Sequence, residues 1–263
     1  MLSTERPDYV CGYLLEGKIA IFVENTPFVL LFPTVFTDFF HTPGDYYQKS
    51  YNVNFSRFLR IFGFLITLLV PAAYVAIMTY NPEMIPDKLF ISVAVQREGV
   101  PFPTAIEILM LGITFELLRE CDLRVPSKMG TAISVVGGLV LGEAAVNAGI
   151  VSPFAVIIVA ITSIAGLLFT DIDMVNALRW WRLIFILFAS SCGMIGVVIA
   201  SILLITHLST LETFGVPYLT PLAPFYLKEQ NDALFLKEKT KIKKRPRYLT
   251  KTNQTRLRWE GKK

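Results

Sequence analysis

Arg57 to Tyr80, RFLRIFGFLITLLVPAAYVAIMTY, is the stretch that most limits what this chain can become. About 20 apolar residues stand here in a row, the length a helix needs to cross a hydrocarbon layer of ~30 Å. In lipid the backbone must satisfy its own hydrogen bonds, so the run reads as a helix, with Pro71 a tolerated kink. Arg57 and Arg60 flank its start, and the positive-inside bias places that end in the cytoplasm. Composition agrees: of 263 residues 53% are hydrophobic and only 17% charged, with a mean hydropathy of +0.53. An ordinary soluble domain carries less apolar and more charged sequence, so the chain reads as an integral membrane protein with several helices.

The second long apolar block, Ser127 to Pro153, is interrupted only by glycines, Glu143 and Asn147. At 100° per residue, Gly138, Gly142, Ala145 and Gly149 fall at about 0°, 40°, 340° and 20°, a single strip without bulky side chains. Such strips let membrane helices approach closely. Val136, Val140, Glu143 and Asn147 gather on the opposite side. A carboxylate in lipid is costly and faces a bundle interior or water. Two readings stay open: the stripe lines a conduction or substrate path narrowed by its valines, or Glu143 sits near the helix end in interfacial water.

Leu89 to Val95 is too short to cross and reads as interfacial or re-entrant. Arg97-Glu98-Gly99-Val100-Pro101-Phe102-Pro103 joins two opposite charges, a free-turning glycine and two prolines, and so breaks a helix. It is either a coupling loop, whose Arg97 and Glu98 pair across subunits or within the turn, or a solvated interfacial loop. The following helix carries Glu107 and Glu116 on nearly opposite faces, with Glu116, Arg119 and Glu120 as its polar end. Pro153 to Phe169 is a compact apolar run. The last span, about Trp181 to His207, starts at an aromatic belt of Trp180 and Trp181 beside Arg179 and Arg182. Its Ala189, Gly193, Gly196 and Ala200 repeat the small-residue strip, and the two strips are expected to pack together.

The fold class is therefore all-α and polytopic, with four to five transmembrane helices plus re-entrant or amphipathic segments, a short N-terminal β-hairpin and a basic C-terminal tail. Residues 1–50 read as the end of a truncated soluble domain and its linker, 51–225 as the transmembrane domain, and 226–263 as a disordered cytoplasmic tail. From Lys228 to Lys263 thirteen Lys or Arg face four acids, a net +9 that leaves −5 for everything before it. That tail belongs on the cytoplasmic side, against anionic lipid, rather than on nucleic acid. Four crossings put both ends in the cytoplasm. Five would put the basic tail outside.

The three cysteines lack CxxC spacing, the two histidines lack any metal-binding context, and no phosphate-binding glycine loop is present. No enzyme, metal or cofactor reading starts from these residues. The first ten residues lack the basic and apolar regions of a signal peptide. Lys18 to Val23 and Phe28 to Phe32 are β-rich runs joined at Glu24-Asn25-Thr26-Pro27, a hairpin with Asn25 suited to a left-handed conformation. Two strands alone are marginal, so the hairpin is expected to pair with strands from a missing domain or to lie against the membrane part.

EGKIAIFVENTPFVLLFPTVFTDFF followed by TPGDYY, then REGVPFP, GEAAVNAGIVSP and FGVPYLTPLAP, resembles the A subunits of GerA-type spore germinant receptors. The resemblance covers Glu5 to about Lys228, departing at Glu24-Asn25, where the family favours Asp-Gly. It implies a subunit of the spore inner membrane, the membrane half of a longer protein. Its implied partners are a transporter-like B subunit that binds the nutrient and a lipoprotein C subunit. It further implies a homo-oligomeric ring around an ion path whose opening starts germination. On that view Val136, Val140, Glu143 and Asn147 line the path and Glu143 favours cations. The alternatives are a non-conducting scaffold for the B and C subunits, and a carrier with a midplane site at Gly99 to Pro103.

Overall fold

A computed structural model of the chain describes residues 1–124, 137–138, 140–225, 235–236, 245–246 and 248–249. Helices dominate, and the chain divides into two units. The first holds residues 1–62, 169–174 and 204–263, and the second holds 63–168 and 175–203.

The first unit begins with strand β1 (Leu2–Thr4), helix α1 (Pro7–Glu16) and strands β2 (Ile19–Phe22) and β3 (Val29–Phe32). Pro7 suits the first helical turn, where its missing N–H costs nothing, and Gly17 ends the helix at φ 99°. The sheet order is β1-β3-β2, antiparallel throughout, with Leu2 opposite Leu31 and Ile21 opposite Leu30. The expected hairpin is thus present, with Asn25 at φ 65° in its turn. Its partner comes from within the chain: β3 takes β1 along its second edge. Leu2, Val10, Tyr13 and Leu31 close a small core between α1 and the sheet.

Two 3-10 turns, Phe36–Phe40 and Pro43–Tyr46, lead into helix α2 (Ser50–Thr79). Each is stapled by an aspartate. Asp38 accepts from the Val35 amide at 2.8 Å and pairs with the buried Lys18. Asp45 accepts from Thr42 Oγ1 at 2.8 Å and from both nitrogens of Arg60 at 2.8 and 2.9 Å, with Arg57 Nε at 3.4 Å. Arg57 is fully buried. Burial alone would push the Asp45 carboxyl up, but Arg60 and Thr42 outweigh it and hold it at about 2. The two arginines read as flanking charges of a membrane span are therefore tied to one carboxylate.

Strands β4 (Glu212–Thr213) and β5 (Val216–Pro217) form a second hairpin in this unit. Phe214 and Gly215 both take positive φ, the requirement of a two-residue turn between twisted strands. Phe214 stacks on Phe32 at 4.7 Å, and Tyr218 accepts from the Phe36 amide at 2.8 Å. Further on, residues read as a disordered tail are seated on this unit: Leu236 is buried and its amide donates to Asn54 at 2.7 Å. Arg245 Nε donates to the Leu15 carbonyl at 2.8 Å.

The second unit contains α2 from Gly63 onward, α3 (Asp87–Gln96), α4 (Thr104–Arg124), α5 (140–147), α6 (Pro153–Gly166) and most of α7 (Ile172–Thr210). Among the described residues α2 and α7 are long and apolar enough to cross a membrane, and α6 is a shorter apolar helix. Of the expected four to five crossings, two correspond to helices of sufficient length among the described residues. Residues 125–136 and 139 of the central block lie outside the described residues. The segment from Leu89 to Val95, expected to be interfacial or re-entrant, lies in the short helix α3, which ends at the turn that the sequence marks at residues 97–103.

Candidate functional site

The polar groups of the helical unit gather at breaks in its helices. Arg97 caps the C-terminal end of α3, and Gly99 at φ 96° turns the chain toward Pro101 and Pro103, both exposed. Arg97 does not pair with Glu98, which is exposed. It reaches Glu107 on α4 at 3.7 Å, where the carboxylate is wholly buried. The other oxygen of Glu107 accepts from the Ser152 amide, and Ser152 Oγ caps α6 by accepting from the Ala155 amide at 3.3 Å. One buried charge thus joins the loop after α3, the body of α4 and the start of α6. The sequence shows Glu107 only as an acid on an apolar helix, and its partner 10 positions upstream carries no periodic signal.

Helix α5 presents two unlike faces. Gly142 is buried, and a Cβ there would meet Val156 of α6 at 3.6 Å. Val140, Glu143 and Asn147 are exposed on the other side, Val140 at 54%. Val136 lies outside the described residues. Ala145 is half-buried, and a Cβ at Gly138 would meet nothing within 4 Å. Gly149 leaves the strip altogether: α5 ends at 147, and Gly149 takes φ 67° in the turn that follows. A glycine two residues past a helix end supplies the left-handed conformation that stops it, which helical projection from sequence cannot distinguish from a packing position.

Among the described residues Gly142 of this strip and Gly193 and Gly196 of the one on α7 meet other neighbours. Gly193 takes φ 62° and ψ −140°, so α7 is two helices joined at a break. This backbone region belongs almost exclusively to glycine. A Cβ at Gly193 would come 2.8 Å from Tyr80 Cβ, and one at Gly196 would run into the Phe188 carbonyl of the preceding half. At Gly196 the strip thus meets residues of its own helix across the break. A break frees backbone groups, and two side chains from the end of α2 take them up: Asn81 Oδ1 accepts from the Met194 amide at 3.2 Å, and Tyr80 donates to the Ser190 carbonyl at 3.0 Å.

Residues 1–248 match the family described as Bacillus/Clostridium GerA spore germination protein. The chain belongs to the GerA family. Spore germination protein KA of Bacillus subtilis is 46% identical over 256 residues, covering 97% of this chain and 47% of that protein. Spore germination protein GerLA of Bacillus cereus is 44% identical over 254 residues, 97% of this chain and 52% of that protein. The uncharacterized membrane protein YfkQ of Bacillus subtilis is 43% identical over 229 residues, 87% of this chain and 45% of that protein. The chain spans about half the length of these curated relatives. No solved structure matches it. Within this GerA chain the recognisable motifs divide by unit. TPGDYY and FGVPYLTPLAP contribute Asp45 and Tyr218 to the first, whereas REGVPFP and GEAAVNAGIVSP contribute Arg97 and Ser152 to the second.

Proposed function

We propose that this chain serves as the membrane part of a germinant receptor A subunit in the inner membrane of a bacterial spore, contributing to the ion path that opens at germination. The observation that carries this reading is the two-faced α5: its Gly142 packs against Val156 of α6 while Val140, Glu143 and Asn147 are exposed among the described residues. A stripe of that composition, repeated around a ring of copies, gives a narrow apolar girdle beside a ring of carboxylates that favours cations. On this view the chain crosses four times with both ends in the cytoplasm, its basic tail lies on anionic lipid, and it works with B and C subunits without catalysing a reaction. Family membership supports the setting.

Potassium release from spores carrying the chain, its B and C partners and a separately supplied upstream half tests the reading. Val140→Ala is expected to leak without nutrient, and Glu143→Gln to lose cation preference. Tight, fully responsive spores with both variants would exclude α5 as the path. If Glu143→Gln altered assembly but never selectivity, the chain would be a scaffold. The interrupted segments at Gly99–Pro103 and Gly193 favour a carrier as the second reading, since carriers bind substrate where helices break. Nutrient-dependent solute uptake without potassium release would establish it.

A further inference from the structure

The geometry points to a binding site for a phosphate-class oxyanion between α4, α6 and α7, built on Arg119, Arg179 and Arg182. The site is a cavity of about 280 Å³ within the second unit, lined by these arginines with Glu116, Thr162 and Ser163. A polar group needs only ~10–15 Å³ of such space to hold a water, so the volume admits a phosphate together with part of its ester.

Charge is what makes the cavity unusual. Three guanidinium groups face one carboxylate among the described lining residues. Glu116 Oε1 is in close ion-pair contact with Arg179 Nη2 and lies 4.0 Å from Arg119 Nη1, and Oε2 accepts from Arg182 Nη2 at 3.5 Å. A carboxylate offers about four acceptor positions and each guanidinium five donors. Glu116 therefore cannot satisfy the set: Arg179 Nε is buried without a hydrogen-bond partner, and Glu116 Oε1, though in ion-pair contact, makes no hydrogen bond. Among the described lining residues this leaves an excess of about two positive charges beside apolar side chains, a state that a second anion relieves. Guanidinium forks match phosphate oxygens in shape as well as charge.

The level of the cavity along α7 suits a lipid headgroup. Trp180 and Trp181 stand between Arg179 and Arg182 in sequence, Trp180 is 68% exposed, and the apolar run of the helix starts at Leu183. Such aromatic residues mark the interfacial layer, where lipid phosphates lie. The same chemistry would accept free phosphate, so the two sources are separated by experiment.

The full chain is placed in nanodiscs, and tryptophan fluorescence is followed in two arms. Inorganic phosphate is titrated into discs of phosphatidylcholine, and the phosphatidylglycerol content of the discs is raised without added phosphate. A saturable response is expected in at least one arm, the first identifying free phosphate and the second the headgroup. Arg179→Gln and Arg182→Gln should each weaken it about tenfold, the worth of a charged hydrogen bond. Arg124→Gln should leave it unchanged, since Arg124 is exposed and paired with Glu120 at 2.8 Å. Glu116→Gln keeps all three arginines and removes their internal competitor, so it should tighten binding even where an arginine variant fails to fold. No response in either arm, a response in both arginine variants equal to that of the unsubstituted chain, or no tightening in Glu116→Gln would overturn the assignment.

Discussion

At the scale of single residues, two buried carboxylates fix the structure and neither is conspicuous in the sequence. Glu107 is wholly buried with Arg97 as its ionic partner. Removing one member of such a pair strands the other. Arg97→Leu is expected to cost about 3 kcal/mol, measured by denaturation of the purified chain in detergent, whereas Glu98→Gln, at an exposed position, should be neutral. Asp45 makes the complementary case outside the membrane-spanning helices. Its folded value of about 2 lies below the ~3.9 of an unfolded aspartate. Its stabilisation is therefore complete above about pH 4, and it is lost as the pH falls toward 2. The effect is on the order of 2 kcal/mol, so Asp45→Asn should lower the midpoint at pH 7 and flatten the acid limb of the stability profile. A profile between pH 4 and 2.5 that is unchanged by the substitution would show that Asp45 does not carry it. The sequence displays these acids and bases but not their pairing, because a contact between α3 and α4, or between a 3-10 turn and α2, leaves no periodic trace.

At the scale of elements, patterning reveals where apolar helices run better than where they stop. The long run of α2 and the β2–β3 hairpin follow directly from twenty apolar residues and from two β-rich stretches around Asn25. Helix α1 escapes notice because it is short and follows a strand of three residues. The break in α7 escapes for a different reason: a glycine in an apolar helix reads equally as a packing position or a joint, and only the surrounding contacts decide. Those contacts give a test. Gly193→Ala must adopt a conformation that costs 1–3 kcal/mol for a residue with a Cβ, and it must also displace Tyr80. Asn81→Ala leaves the Met194 amide without its acceptor and should cost about 1–3 kcal/mol. Gly138→Ala, with open space at its Cβ, should be neutral or stabilising. Comparable melting points for all three variants would mean that the joint is not held by these groups.

At the scale of the molecule, the order of the chain matters more than its composition. Sequence composition gives a membrane protein of several helices, but it divides the chain into consecutive blocks, whereas the two units interleave. Residues near the start and residues beyond Leu204 belong to one unit, stitched by Phe32 on Phe214 and by the Phe36 amide on Tyr218. A block reading cannot find this, since aromatic partners some 180 positions apart share no local pattern. Phe214→Ala should therefore loosen the hairpin β2–β3 as well as its own turn, seen as faster amide exchange at Val29–Phe32, with unchanged exchange in α6.

The stacking of Phe214 on Phe32 also joins an early and a late stretch of the chain within the first unit. If a protease cuts at the exposed turn between Gly99 and Pro101, the two pieces remain joined through Phe32 and Phe214 in the first unit and through Arg97 with Glu107 and Asn81 with Met194 in the second, and separate only when both unfold. Cleavage would show on a denaturing gel while the particle kept its native mass.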